Sequence, residues 1–327
     1  MEPITRPHRV RTVFWLVLWL GLFGVIFVNR QGVVDWWKLR GYVPPAEVSE
    51  AATAGTMTDY ARHLLYVNKP AITSGSTFSE NCPVGTEKTV VLGCYRGGDA
   101  GIYLYNVTDP RLKGVVEVTA AHEMLHAAYA RLSTGERTHI DTLLSAYYAQ
   151  SVSDERIRDT IAAYQKTEPD AIANEMHSIF ATEIRVLPPE LETYYKKYFV
   201  SRATVVAMTE RYQGEFTSRK QRVAEFDSEL RSAKSTIDAN EAALRSQHAL
   251  IVAEQSRMER LRYANVASYN AAVDGYNQMV AAYNALLQDT KQQIDAYNTT
   301  VEKRNALALE ERQLTQALTG KSLPSAQ

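Results

Sequence analysis

The sequence predicts an α+β fold in which a small sheet is followed by several helices and then by a long all-α coiled coil. Segments with strand-like composition and intervening turns occupy residues 66–107. Apolar residues with helical spacing dominate from 110 to 213, and a seven-residue repeat free of proline extends from 216 to 318. A chain of 327 residues is long enough for both parts and for an N-terminal anchor.

An apolar stretch near the N-terminus predicts a membrane anchor. There is no polar residue between Val13 and Val28, and this length is near the lower end of what the hydrocarbon core of a bilayer requires. Asn29 and Arg30 follow in place of a small-residue cleavage pattern, which favours an uncleaved anchor over a removed signal peptide. We therefore expect a transmembrane segment over 13–29.

The residues around the anchor set the expected topology. We expect residues 1–12 to be cytoplasmic and the rest of the chain to lie outside the cell membrane. Residues 30–45 form a predicted juxtamembrane linker, in which Trp36 and Trp37 stand where an interfacial aromatic belt would lie. The protein is thus expected to be a single-pass protein of the cell membrane.

The two cysteines, Cys82 and Cys94, favour the same orientation. Their separation is easily closed by a local disulfide, and disulfides persist outside the cytoplasm. Two free buried thiols are the alternative. A zinc site made of these two residues alone is disfavoured, because their spacing is too wide for a zinc knuckle.

The charge balance excludes one class of partner. The chain has 36 basic and 37 acidic residues and a formal net charge of -1. This balance gives no electrostatic basis for binding nucleic acid. The partners that we expect are a peptide or protein substrate, the membrane and a second copy of the chain.

Residues 46–214 are predicted to form one domain. A helix is expected over 46–66, followed by strands at 66–72, 89–95 and 101–107, of which the last two form a hairpin. The helices expected after the hairpin cover 115–132, 136–149, 154–165, 170–186, 190–199 and 202–213.

Residues 216–318 carry the heptad repeat of a coiled coil, and 319–327 are expected to be a disordered tail. The register slips by one residue after Leu261, which divides the segment into two arms. An antiparallel hairpin and a long helix that pairs with a second chain both fit this pattern. The apolar a positions are Val223, Leu230, Ile237, Leu244, Ile251 and Met258, then Val266, Val273, Val280, Leu287, Ile294 and Val301.

In the second arm, tyrosine recurs at the d position and asparagine follows it directly. The simpler interpretation is that tyrosine fills the seam while asparagine is exposed; the alternative is a ligand-binding face. The residues are Tyr269, Tyr276, Tyr283 and Tyr297, with Asn270, Asn277, Asn284 and Asn298.

The residues that indicate chemistry lie in the helix predicted over 115–132. His122 and His126 are four residues apart, so both imidazoles project from one face and can bind a single tetrahedral ion. Glu123 follows His122, where its carboxylate can take a proton from a water that the ion makes acidic. Two core histidines on an amphipathic helix are the alternative.

The stretch Thr119-Ala-Ala-His122-Glu123-Met-Leu-His126 resembles the zincin metallopeptidase signature, HExxH. Its place on a helix directly after a hairpin is also typical of zincins. No glycine-histidine extension follows His126, unlike in metzincins. The resemblance implies a Zn²⁺ cofactor, with Glu123 as general base in the hydrolysis of peptide bonds.

A second stretch suggests the third ligand. The pair Asn174-Glu175 on the predicted helix 170–186 resembles the gluzincin pattern, in which a second helix donates a glutamate to the ion. By this resemblance Glu175 is the third metal ligand. The resemblance covers about residues 50–200 and rests on these two short motifs.

This second stretch departs from the gluzincin pattern at one position. Thermolysin-like enzymes place an aspartate four residues after the ligand glutamate, where this chain has Ile179. Ser178 and Glu183 are the nearby residues that could orient a ligand histidine in its place. His177 and Glu183 are alternatives to Glu175 as the third ligand.

Two functions from different classes are therefore expected. The first is a membrane-anchored zinc peptidase acting on an envelope or extracellular protein, with the coiled coil as a positioning or dimerisation arm. The second is a non-catalytic, membrane-tethered scaffold or adaptor with a structural zinc site. Glu123 favours the enzyme, because a structural site needs the histidines but no base. Chemistry alone offers four candidates for an oxyanion stabiliser: Tyr129, His177, Tyr194 and Tyr195.

Overall fold

A computed structural model describes residues 14–21, 23, 29–83, 90–98 and 100–320. These residues are mostly helical and include one three-stranded sheet, which confirms the predicted helix-rich α+β class with a long helical C-terminal region. The described residues divide into two compact units, one of residues up to 212 with 318–320, and the other of residues 213–317.

The first unit contains the sheet and most of the shorter helices. Its strands are β1 (Ala71–Thr73), β2 (Gly93–Arg96) and β3 (Gly101–Tyr105). Its helices are α1 (Arg30–Leu39), α2 (Ala46–Ala54), α3 (Asp59–Val67), α4 (Gly75–Asn81), α5 (Val115–Ala130), α6 (Thr134–Ser151), α7 (Glu155–Thr167), α8 (Ile172–Glu183) and α9 (Pro189–Tyr195). Short 3₁₀ turns, Pro110–Leu112 and Pro169–Ala171, precede α5 and α8.

The sheet has the order β1-β3-β2. Strands β2 and β3 are antiparallel, with Cys94 opposite Tyr103, so the predicted hairpin is confirmed. Strand β1 is parallel to β3, with Ile72 opposite Leu104. The two edges of the sheet are therefore β1 and β2.

The strand predicted over 66–72 is wrong for most of its length. Tyr66 and Val67 complete α3 instead, and only Ala71–Thr73 is extended. The residue after the helix is its C-cap, Asn68, whose side-chain amide donates to the carbonyl of Leu64, and Lys69 then has a positive φ of 43°. Tyr66 and Val67 therefore follow the helical pattern of α3 and not the alternation of a strand.

The helix predicted over 46–66 is two helices, α2 and α3. The break falls at Gly55 to Thr58, where Thr56 has a positive φ of 48°. The hydroxyl of Thr58 accepts a hydrogen bond from the backbone N–H of Ala61 and caps α3. Such a cap satisfies one of the unpaired donors at a helix start, so it stabilises the second helix as a separate element.

Helix α5 lies at the centre of the first unit. It packs against α2, α3, α8, β2 and β3, and most of its residues are buried. Small residues such as Ala120, Ala121, Ala127 and Ala128 let these neighbours come close. Polar side chains on this helix are therefore enclosed in an apolar environment, where charges interact more strongly than in water.

The last two helices are α10 (Arg202–Ala264) and α11 (Val266–Thr319), and the second unit is built from their residues 213–264 and 266–317. The helix predicted over 202–213 does not end there, because α10 continues without interruption to Ala264. Within the unit, α10 and α11 are antiparallel. Cross-helix pairs join Arg219 to Glu310, Asp227 to Arg304 and Asn240 to Gln293.

The coiled-coil segment is thus an intramolecular hairpin in this structure. The turn is Asn265, whose side-chain oxygen accepts a hydrogen bond from the backbone N–H of Ser268 at 3.0 Å. The seam tyrosines are partly buried and the asparagines after them are exposed. This supports the simpler interpretation of the tyrosine–asparagine repeat.

The predicted anchor at 13–29 falls partly on residues 13, 22 and 24–28, which lie outside the described residues, as do 1–12 and 321–327. Residues 14–21 and 23 are helical, and apolar side chains such as Phe14 and Trp19 are exposed there. Across the described part of the chain, no helix combines the length and the apolar character needed to cross a membrane. The transmembrane segment and the membrane location stay predictions.

Candidate metal centre

Two helices bring three donor side chains together. Helix α5 presents His122 and His126, whose ring centroids are 4.8 Å apart, and α8 presents Glu175. The Glu175 carboxylate lies 3.9 Å from His122 Nε2 and 3.6 Å from His126 Nε2. The donor atoms all lie within 4.8 Å of one another, so this group could hold a metal ion.

The donor set and spacing fit a tetrahedral ion. Zinc bonds of 2.0–2.1 Å place neighbouring donors about 3.3 Å apart. The two carboxylate–imidazole distances are only a few tenths of an ångström longer than this, and every pair of donor atoms lies within 4.8 Å. His126 and Glu175 are buried and His122 is partly buried, which limits competition from water.

Ser178 also belongs to this cluster. Its hydroxyl is fully buried and lies 3.2 Å from His122 Nε2 and 3.5 Å from His126 Nε2. It can donate to the backbone carbonyl of Glu175 at 3.1 Å. The serine therefore faces the ring nitrogens that would bind an ion. His126 Nδ1, on the far side of its ring, has no hydrogen-bond partner among the described residues.

Glu123 is buried against strand β2. The backbone N–H of Tyr95 donates to its carboxylate. Burial raises the pKa of Glu123 to about 7, and the nearby Glu175 carboxylate adds to this rise. The charge of His126 and the hydrogen bond from Tyr95 act in the opposite direction. A carboxyl with this pKa can exchange a proton near neutral pH.

Strand β2 approaches Glu123 closely because Gly93 has no side chain. A Cβ at this position would lie 2.6 Å from Thr119 Cγ2 and 2.9 Å from both Glu123 Cγ and Oε1. Gly93 is not among the predicted site residues. A glycine inside a predicted strand is a recognised sign of close backbone approach, so the signal was present.

A disulfide between Cys82 and Cys94 is present, which confirms that prediction. It joins the end of α4 to β2 at the residue after Gly93. The strand segment over Glu123 is therefore held on one side by sheet hydrogen bonds and at Cys94 by a covalent link. The link restricts how far β2 can move from the metal-binding helix.

His122 has a strongly lowered pKa. Burial is the main cause, and the neighbouring His126 and His177 also disfavour a second positive charge. A neutral imidazole is the form that coordinates a metal ion. The environment of His122 thus favours the protonation state that an ion requires.

His177 is not one of the three clustered donors. It is fully buried among the rings of Tyr129, Tyr194, Tyr195 and Tyr198, and its Nε2 is hydrogen-bonded to Tyr194 Oη at 2.9 Å. Burial lowers the pKa of His177 to about 3. This environment is that of a neutral core histidine.

The tyrosines suggested as oxyanion stabilisers already make hydrogen bonds within the core. Tyr195 Oη donates to the carbonyl of His177 at 2.8 Å, and Tyr129 Oη donates to Asp141 at 2.7 Å. Tyr194 Oη is within hydrogen-bond distance of both His177 and Tyr198. None of these three hydroxyls is hydrogen-bonded to a residue of the metal-binding group in the described part of the chain.

Glu183 lies at the C-terminal end of α8, two turns beyond Glu175. Its carboxylate accepts from the Arg156 guanidinium at 2.5 Å, which joins α8 to α7. It is absent from the donor group formed by the described residues. The structure therefore brings Glu175 and Ser178 to the histidines, and places Glu183 in an ion pair.

The comparisons with known proteins identify no relative. No protein-family model, no curated protein and no solved structure matches this chain.

Proposed function

We propose that this protein is a zinc-dependent peptidase with gluzincin-like chemistry, anchored at the outer face of a cell membrane by its N-terminal segment. One observation carries the proposal. Two imidazoles from α5 and one carboxylate from α8 converge, and the buried Glu123 carboxyl stands on the same helix next to His122. A structural site would not need this additional acid.

The proposed roles follow from the positions of these side chains. His122, His126 and Glu175 would hold the ion. A zinc ion held there would supply an acidic water and polarise a peptide carbonyl. Glu123 would accept the proton of the attacking water at its carboxylate and deliver it to the leaving nitrogen. Burial raises the pKa of Glu123, which supports its proposed role as proton acceptor.

A second candidate is a scaffold with a structural zinc, and one observation favours it. The Ser178 hydroxyl lies within 3.5 Å of both Nε2 atoms. A catalytic zinc site keeps one position open for water, whereas a structural site is closed by protein groups. A protein oxygen so close to the ion-facing nitrogens could fill the open position.

Substitution of Glu123 distinguishes the two functions. In full-length, zinc-loaded protein we expect Glu123→Gln to retain zinc and to reduce hydrolysis of unfolded protein substrates by about a hundredfold or more, because the proton acceptor is lost. The zinc content is measured by inductively coupled plasma mass spectrometry. Hydrolysis is measured as the cleavage of denatured casein. Glu117→Gln, on the same helix but outside the donor group, is the matched control and should keep both.

Two outcomes would contradict the peptidase proposal. One is equal hydrolysis by wild type and Glu123→Gln. The other is a wild-type protein that carries stoichiometric zinc and cleaves no peptide bond in a broad peptide mixture, which would support the scaffold.

A further inference from the structure

We propose that α1 is an interfacial helix: one face binds an anionic lipid surface, and the opposite face fixes the helix to the unit that carries the metal centre. This inference rests on the membrane anchoring in the proposed function and deepens it, and it applies equally to a peptidase and to a scaffold. It rests on the exposed side chains of α1, on the contacts of Asp35 and on the distribution of charge.

The outward face of α1 is aromatic and aliphatic. Trp36 and Trp37 are 63% and 71% exposed, and Val33 and Val34 are about half exposed. Exposure of a tryptophan side chain to water is unfavourable in free energy, and tryptophan prefers the boundary between lipid headgroups and acyl chains. Four such side chains within five consecutive residues are more than the scattered apolar residues of an ordinary surface.

The inward face of α1 is held by Asp35, which is only 4% exposed. Both guanidinium nitrogens of Arg131 donate to its carboxylate, at 2.6 and 2.9 Å, and His63 Nε2 lies 2.9 Å away. At 100° per residue, Asp35 is roughly opposite Val33 and Trp37 on the helix. The contacts that fix α1 to its own unit therefore leave the aromatic face uncovered.

The contacts of Asp35 with Arg131 and His63, called the clamp below, connect α1 directly to the metal-binding helix. Arg131 follows Ala130, the last residue of α5, and His63 belongs to α3, which packs on α5. On the same side of α1, the Lys38 ammonium donates to the carbonyl of Gly98 at the hairpin turn. A surface bound by α1 would thus be fixed relative to the helix that carries His122 and His126.

The charge around α1 selects lipid as the occupant. Asp35 is the only acidic residue between Glu2 and Glu47, and it is turned inward. Arg30 and Arg40 supply positive charge along the same segment, and the Arg40 guanidinium lies 5.6 Å from the centre of the Trp36 ring. Aromatic side chains flanked by arginines, with no outward carboxylate on α1, match an anionic headgroup layer.

The preceding residues support the same occupant. Residues 14–21 and 23 also present exposed apolar side chains. A bilayer surface can cover this stretch and the face of α1 together, whereas a protein partner would need one continuous apolar groove for both. We therefore assign the face to lipid.

Tryptophan fluorescence tests the lipid contact. The four tryptophans of the chain are Trp15, Trp19, Trp36 and Trp37, so the full-length double variant Trp15→Phe/Trp19→Phe reports on α1 alone. It would be reconstituted in phosphatidylcholine–phosphatidylglycerol vesicles, with and without bromine on the acyl chains. We expect strong quenching by brominated lipid and several-fold weaker quenching by aqueous acrylamide than in the urea-unfolded chain.

The other quenching patterns would overturn the proposal. Efficient acrylamide quenching without lipid quenching would leave the face in water. Protection from both quenchers would mean that protein covers it.

The clamp is tested separately with Asp35→Asn in the same vesicles. We expect lipid quenching of Trp36 and Trp37 to persist while backbone hydrogen exchange in α1 becomes faster, because the helix loses its tie to Arg131. Glu190→Gln, which removes an exposed partner of His139, is the control and should leave α1 exchange unchanged. Exchange in α1 that is unaltered by Asp35→Asn would overturn the clamp.

Discussion

At the residue scale, the close contact between β2 and Glu123 depends on Gly93, which has a hydrogen atom in place of a side chain. We expect Gly93→Ala to destabilise the first unit by about 1–3 kcal/mol, the usual effect of overpacking, because the new methyl group would meet Thr119 and Glu123 at under 3 Å. The measurement is the free energy of unfolding in urea. It should be accompanied by a loss of hydrolysis, since Glu123 would be displaced.

The hairpin offers its own control for this substitution. A Cβ at Gly97, in the turn, would meet only Tyr95 Oη at 3.9 Å. Gly97→Ala should therefore change the free energy of unfolding by less than about 0.5 kcal/mol. Equal effects of the two substitutions would show that close approach to Glu123 is not what requires glycine at 93.

At the residue scale, the sequence predicted the site best where helix geometry alone determines which side chains lie close together. The four-residue spacing of His122 and His126 is sufficient to place both rings on one face. The position of Glu175 could be suggested only by resemblance, because the approach of α8 to α5 depends on tertiary packing. The contact of Ser178 with both imidazoles was not predictable for the same reason, since it depends on the rotation of α8 about its axis.

At the element scale, the ion pairs of Asp35 hold α1 in place, and their contribution depends on pH. Burial would raise the pKa of Asp35, but the hydrogen bonds and charges of Arg131 and His63 outweigh it and hold the pKa below its ordinary value of 3.8. A carboxyl with a depressed pKa stabilises the fold above its unfolded pKa, and this stabilisation is lost as the pH falls through the folded value.

We therefore expect Asp35→Asn to lower the free energy of unfolding by about 3 kcal/mol at neutral pH, because it leaves Arg131 without its buried partner. The difference from wild type should shrink as the pH falls below the ordinary pKa of 3.8. Urea unfolding of both proteins over this pH range is the measurement. The exposed pair of His139 and Glu190 provides a control, since Glu190→Gln should cost less than about 1 kcal/mol. A pH-independent difference would exclude the carboxylate as the source of the effect.

Local chemistry explains which elements were predictable. The β2–β3 hairpin was predictable because two strand-like runs flank Gly97 and Gly98 at the turn. The strand over Tyr66 and Val67 was wrong because a short apolar run is compatible with either a strand or the end of a helix. The sequence alone did not decide whether the chain turns at Asn265, since neither glycine nor proline marks the turn. In the structure the asparagine acts as an N-cap, a role shared with many exposed asparagines that start no helix.

At the scale of the whole molecule, all three proposed metal ligands belong to the first unit. When the free ion concentration is about a thousand times the Kd, binding stabilises the state that holds the ion by about 4 kcal/mol. We expect chelation to accelerate hydrogen exchange in α5 and α8 by up to about a thousandfold. Peptides from residues 230–300 should be unaffected, because none of the three donors lies there. Glu175→Ala should give the same pattern without chelator.

A uniform change along the chain after chelation would contradict a metal centre confined to the first unit. An unchanged exchange pattern in α5 and α8 would show that no ion stabilises these helices.

The most direct test of the metal centre is zinc-edge X-ray absorption, together with metal stoichiometry, on the full-length protein. We expect one zinc per chain, coordinated by two imidazoles and by oxygen donors without sulfur. Glu123→Gln should retain this coordination, Glu175→Ala should bind zinc much more weakly, and His126→Ala should lose it. A chain that binds no zinc, or that binds it equally well after His126→Ala, would contradict the proposed centre.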